Sequence, residues 1–180
     1  MTLSLLYYGN PILRKRSSHI KDINQDIRIL VKEMEKTLVL HNGIGLAAPQ
    51  VGSLLRMFIC IVEGDDSEGN PICGKPKVYI NPTLSSPDPT TDMRLEGCLS
   101  IPGVYEKVRR PIRIFVDAFD VDGSHFQEET SGWKARCIMH ENDHINGILF
   151  IDRIDKKRKK AIHRDLQEIK KRYSHLKTDE

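Results

Sequence analysis

Residues 137–150 read CIMHENDHINGILF, and the HENDH inside them places two histidines four positions apart. At 3.6 residues per turn, His140 and His144 share one helix face about 6 Å apart along the axis, so both rings can converge on one ion. Glu141 flanks that face. From there a carboxylate reaches a metal-bound water without ligating the metal, the division of labour in HExxH metallohydrolases. A solvated helix face is the competing reading. A third protein ligand separates the two, and nothing obvious follows the helix.

A chain of 180 residues suffices for one domain with a sizeable core, and 29% charged against 39% hydrophobic residues reads as soluble and globular. No window approaches the roughly 18 apolar residues of a membrane span. The opening MTLSLLYYGNPILRKRS lacks the apolar segment and cleavage site of a signal peptide, so a cytoplasmic protein is expected. Cys60, Cys73, Cys98 and Cys137 form no CxxC pair, which argues against disulfides in a reducing compartment.

Ile23, Ile27, Leu30, Val31, Met34 and Leu38 recur at helical spacing, predicting an amphipathic helix over about 24–41 that ends at Asn42-Gly43. MFICIV at 57–62 and KVYIN before Pro82 read as strands, with the polar EGDDSEGNPICGKP between them as a surface loop or hairpin tip. IRIFVDAFDVDGSHFQEE alternates around Asp122-Gly123, a hairpin signal. Thr130 or Ser131 then caps the HExxH helix, whose run ends at Gly147. The expected class is α+β in one domain, 1–180: antiparallel sheets packed around a central HExxH helix, with an N-terminal helix and a basic C-terminal helix at 155–180.

Several residues compete for the third ligand position. Cys137 shares the helix face but lies seven residues from His144, a rise of about 10.5 Å, too far for one ion to bind all three. Cys60 reads as a small buried hydrophobe and Cys73 as part of a loop. Glu168 sits in RDLQEIKKRY, where the charges suggest a solvated face. Cys98 remains, in LEGCLSIPG, where Gly97 frees the backbone before it and Pro102-Gly103 turns the chain after it.

GIGLAAPQ at 43–50, EGCLS at 96–100 and HENDH at 140–144, in that order, resemble the three motifs of peptide deformylases, and YYGNPILRKRS resembles their N-terminal segment. The likeness covers most of residues 7–152. It implies that Cys98, His140 and His144 bind the metal, that Glu141 is the catalytic acid/base, and that Gln50 and the backbone N–H of Leu99 donate to the reacting oxygen. It implies Fe2+, with Ni2+ or Co2+ as substitutes, whereas ligand preference alone suits Zn2+. The substrate implied is the N-formylmethionyl nascent peptide. The ion lowers the pKa of its water, Glu141 takes the proton and later protonates the departing amine, and formate leaves.

GIGLAA also satisfies the loose pattern G-x-G-x-x-G/A, but that fingerprint needs a strand before it and a helix after it, and here a helix precedes and Pro49 follows. Gly43, Gly45, Ala47 and Ala48 instead keep side chains clear so that backbone amides can pair with an extended peptide. Trp133 and Cys137 project near the histidine stripe and are candidates for a methionine pocket, as is ordinary core packing. Arg136 and Arg94 stand where the family often has apolar residues. Glu96 and Arg110 are a candidate brace for the Cys98 loop, while Asn142 and Asp143 are expected on the outer side of the helix.

Two further readings stand beside the deformylase: an HExxH peptidase using Glu168, and a binding module with a structural zinc. A structural site needs four protein ligands, and only three converge here. Neither membrane nor DNA is expected as a partner. Residues 155–180 carry ten Lys/Arg against five Asp/Glu in a chain of net charge +3. Ile162, Leu166 and Ile169 are spaced to dock one face of this tail, leaving the cations outward as a solvated face or, as the resemblance implies, a ribosome contact.

Overall fold

The computed structural model describes residues 2–86 and 89–174. In chain order its main elements are α1 (Gln25–Leu40), β1 (Gly45–Ala47), β2 (Met57–Asp65), β3 (Pro71–Ser85), β4 (Thr91–Cys98), β5 (Ile101–Pro111), β6 (Arg113–Phe119), β7 (His125–Ser131), α2 (Gly132–Ile145), α3 (Lys156–Ala161) and α4 (His163–Arg172). The described strands make a five-stranded antiparallel sheet, ordered β1-β2-β3-β6-β7, and a two-stranded sheet of β4 and β5. The class is α+β, as the element order predicts.

The first helix forms within its predicted span because Asn24 caps it, its side chain accepting from the backbone N–H groups of Asp26 (3.1 Å) and Ile27 (3.2 Å). It stops where Asn42 adopts a left-handed φ of 52°. The MFICIV run is unbroken because both faces of β2 are covered. Successive side chains alternate, so Met57 and Ile59 join Val31, Met34 and Leu38 of α1, while Phe58, Cys60 and Val62 join Ala135, Cys137 and Ile138 of α2. The HExxH helix is thus central, packed on one face of the sheet with α1 on the other.

The hairpin predicted at Asp122-Gly123 joins β6 to β7: Asp120 Oδ1 accepts from the N–H groups of Asp122 and Ser124, both at 2.9 Å, and Gly123 sits at φ 85°. Three expectations need correction. Most of the polar stretch at 63–76 is strand, leaving a short turn around Asp66–Asn70, so Cys73 lies exposed on β3. Ser131 stands at the N-cap of α2 but its side chain makes no cap bond; Asp65 Oδ1 takes the Trp133 N–H instead, at 2.7 Å. The C-terminal segment is two helices meeting at Ile162, and residues 175–180 lie outside the described residues. A third cluster packs Ile162, Leu166 and Ile169 against Ile101, Val104 and Val108 of β5.

Candidate metal centre and its cavity

Cys98 ends β4 and pairs with Ile101 across the tight turn Leu99-Ser100, which aims its sulfur at α2. One ligand atom each from Cys98, His140 and His144 lies within 4.8 Å of the others, a convergence shared by no other such group among the described residues. Cys98 Sγ is 3.2 Å from His144 Nε2. A thiolate and two imidazoles suit a divalent transition metal, and three protein ligands leave a coordination position open. Cys137 turns aside and donates to the Ile44 carbonyl at 3.4 Å. Glu168 is exposed and pairs with Arg164 at 3.0 Å, which removes it as a ligand.

Behind the ligands lies a buried charge network. Glu96 accepts from Arg110 Nε at 2.6 Å and Nη2 at 2.8 Å, from Arg136 Nη1 at 2.6 Å and from His140 Nδ1 at 3.0 Å. The last bond puts the proton of neutral His140 on Nδ1 and leaves Nε2 as the ligand lone pair. Burial opposes charge on Glu96, but the Arg110 and His140 hydrogen bonds overcome it and hold the carboxyl well below its ordinary range. Arg110 continues to Asp143 at 2.9 Å, which also holds Arg153. Asp143 is therefore buried in the brace rather than on the outer side of the helix, a correction that follows from two arginines entering from β5 and from beyond α2.

Glu141 is buried, and its Oε2 has no hydrogen-bond partner among the described residues. Burial above all pushes its carboxyl well above the ordinary range. Gly45 makes the room: a Cβ there would stand 2.5 Å from Glu141 Oε1 and 2.8 Å from Cys137 Sγ. Gln50 is oriented by its own turn, since Oε1 accepts from the Ala47 N–H at 2.8 Å. Its Nε2 then points to Ser100 Oγ at 3.2 Å and Cys98 Sγ at 3.6 Å. Burial first, then the nearby Glu141, raises the Cys98 thiol to about 12, against hydrogen bonds from Ser100 and Ile101. Burial and His140 push His144 well below its usual value.

A cavity of 640 Å³ opens on this centre, lined by Gly45, Gln50, Gly97, Leu99, Trp133, Cys137, His140 and Glu141 among others. All the predicted substrate-side residues are there. Gly97 is required by close approach, for a Cβ would meet the Tyr105 ring at 2.5 Å. Arg136 forms part of the wall, but its guanidinium is occupied by Glu96, Asp92 and the Val108 carbonyl. Arg94 lies over the Trp133 ring at 5.4 Å and pairs with Asp65 at 3.0 Å.

Sequence reasoning missed Ser100, which is fully buried between Gln50 and the Cys98 sulfur. Its place inside EGCLS was the available signal. Also missed was the N-terminal brace, in which Leu6 N–H donates to the Gln50 carbonyl (2.7 Å) and Tyr8 N–H to the Ser100 carbonyl (2.8 Å).

The family model described as polypeptide deformylase matches residues 2–160. A peptide deformylase of Maricaulis maris is 39% identical over 93% of this chain and 91% of its own length. Peptide deformylase 1 of Clostridium perfringens is 42% identical over 83% of this chain and 95% of its own. The crystal structure of peptide deformylase from Ehrlichia chaffeensis superposes with a TM-score of 0.84 at 33% identity, covering 97% of this chain and 98% of that one.

Because a thiol held near 12 must lose its proton to ligate, metal binding should release that proton and tighten as pH rises. Between pH 7 and 9, below the thiol's value, apparent Co2+ affinity should climb about tenfold per pH unit, as one released proton requires. Competitive titration with a chelator measures it. Cys98→Ser should lose most bound metal at every pH, whereas Cys73→Ser and Cys137→Ser keep it.

Proposed function

The chain belongs to the peptide deformylase family, and from that premise we propose which of its residues do the chemistry. It is a hydrolase that removes the formyl group from the N-terminal formylmethionine of newly made polypeptides and releases formate. The observation that carries the residue assignment is the meeting of Cys98, His140 and His144 beside a buried, partnerless Glu141 carboxyl oxygen.

Cys98, His140 and His144 would hold the ion, and Glu96 orients the His140 ring. A bound divalent ion supplies a Lewis acid and an activated water for attack on the formyl carbon. Glu141 moves the proton: it accepts one during attack and returns it to the departing amine, a role suited to a carboxyl whose burial raises its pKa. Gln50 Nε2 and the Leu99 N–H donate to the oxygen on which charge develops. A donor of this kind is worth about 3 kcal/mol in the barrier. β1 pairs only with β2 among the described strands, so the backbone from Gly43 to Ala47 has an edge on which an extended peptide can add as a strand, facing Gly97 across the cavity. Trp133 and Cys137 wall the methionine side chain.

Iron(II) is the metal we assign, on the family resemblance; the donor set also accepts nickel, cobalt and zinc. The cytoplasm, where new chains emerge, is the proposed location. The basic segment is proposed as a ribosome contact. Its support is the two-sidedness of the helices: Leu166 and Ile169 are buried in the body while Lys156, Lys157, Lys160, Lys170 and Lys171 are exposed.

Metallated protein incubated with formyl-Met-Ala and acetyl-Met-Ala should release formate from the first and no free amine from the second. Cleavage after the methionine would indicate a peptidase, and neither product a structural site. Glu141→Gln should retain metal yet turn over at least about 100-fold more slowly, because the amide carries no proton; wild-type turnover would remove Glu141 from the mechanism. For the ribosome contact, Lys156→Glu/Lys157→Glu/Lys160→Glu should reduce cosedimentation at low salt. Unchanged cosedimentation would leave only a solvated face. Deleting residues 156–180 is a poor substitute, since it strips Ile162, Leu166 and Ile169 from a buried cluster.

A further inference from the structure

Tyr7 and Tyr173 come from the two ends of the described chain and stack with ring centroids 3.7 Å apart and planes 13° apart. Both are half-buried, and both line the same cavity as Cys98, His140 and Glu141. Tyr173 sits at the C-cap of α4, where its N–H bonds the Ile169 carbonyl at 3.1 Å, so the buried Leu166 and Ile169 fix its position. Tyr7 is fixed from the other side by its neighbours, through Leu6 to the Gln50 carbonyl and Tyr8 to the Ser100 carbonyl. Leu5, Leu99 and Pro102 add apolar side chains to the lining of the same cavity.

The formylmethionine accounts for only part of this space. At 640 Å³ the cavity falls within the range of about 300–1,000 Å³ that takes drug-sized ligands, more than one residue. The substrate is a polypeptide, so chain must continue away from the reacting carbon. A rigid pair of aromatic rings gives large contact area at small cost in side-chain entropy.

We propose that the Tyr7–Tyr173 stack is a subsite for the peptide beyond its formylmethionine, one that favours apolar and aromatic side chains. The C-terminal helix thereby takes part in substrate selection through the wall it completes. This rests on the deformylase reading of the centre.

The experiment compares kcat/KM for formyl-Met-Ala and formyl-Met-Ala-Phe-Leu in the wild type, Tyr173→Phe and Tyr173→Leu, using the full-length metallated protein. Tyr173→Leu should lower the tetrapeptide-to-dipeptide ratio about three- to tenfold, mainly through KM, the loss expected for one aromatic contact. Tyr173→Phe, which keeps the stacked ring, should preserve the ratio. An unchanged ratio in Tyr173→Leu, whether both substrates slow together or neither does, would overturn the subsite and leave the stack a packing contact. Failure of the wild type to release formate from either peptide would overturn the deformylase reading and the subsite with it.

Discussion

Glu96 is 5% exposed, yet it is held as a carboxylate by two arginines and a histidine. Burying such an ion alone costs several kcal/mol, and the cost is offset here because each oxygen accepts two charge-assisted or ring N–H bonds. Those partners come from β5 and α2, so one carboxylate on β4 ties the small sheet to the central helix two residues before Cys98. Removing one member of such a set typically costs about 3–5 kcal/mol, because a charge is left unpaired. The candidate ligands take their geometry from this pairing: His140 through a direct bond, and Cys98 through the strand that Glu96 anchors.

Glu96 on β4 and Glu141 on α2 are both buried carboxyls, and their surroundings set them apart. Arginine contacts keep Glu96 ionised and fixed. Glu141 makes no ion pair among the described residues, and burial above all drives its pKa well above the ordinary range. Gly45 preserves that difference by leaving a gap that any side chain would close onto the Glu141 oxygen. Gly45 of the first motif would therefore serve the proposed proton carrier as well as the proposed peptide edge.

Much of this was legible in the residues. HENDH offers two candidate ligands and the carboxylate between them, since helical spacing alone brings them together. Cys98 followed from the exclusion of Cys137 on axial rise and Glu168 on its charged surroundings. The helix of α1 and the Asp122-Gly123 hairpin were readable because their signals are local. What stayed hidden depends on distant pairing. Asp143 looks like an outward acid beside His144 until Arg110 arrives from a strand 33 positions away. Likewise the cap of α2 comes from Asp65, 68 residues upstream, rather than from the adjacent Ser131. The tail was read as one helix docked through Ile162, Leu166 and Ile169, and nothing in its charge pattern reveals the break at Ile162 or Tyr173 reaching back to Tyr7.

Metal affinity in Glu96→Gln, measured by chelator competition on protein whose folding is verified by circular dichroism, tests most directly whether the buried carboxylate governs the centre. An amide still fills the space but cannot match the charges of Arg110 and Arg136 or hold His140 as a carboxylate does. Affinity should fall about 10- to 100-fold, the usual effect of losing a partner behind a metal ligand. Wild-type affinity in the folded variant would contradict it, showing that Cys98, His140 and His144 are positioned without Glu96.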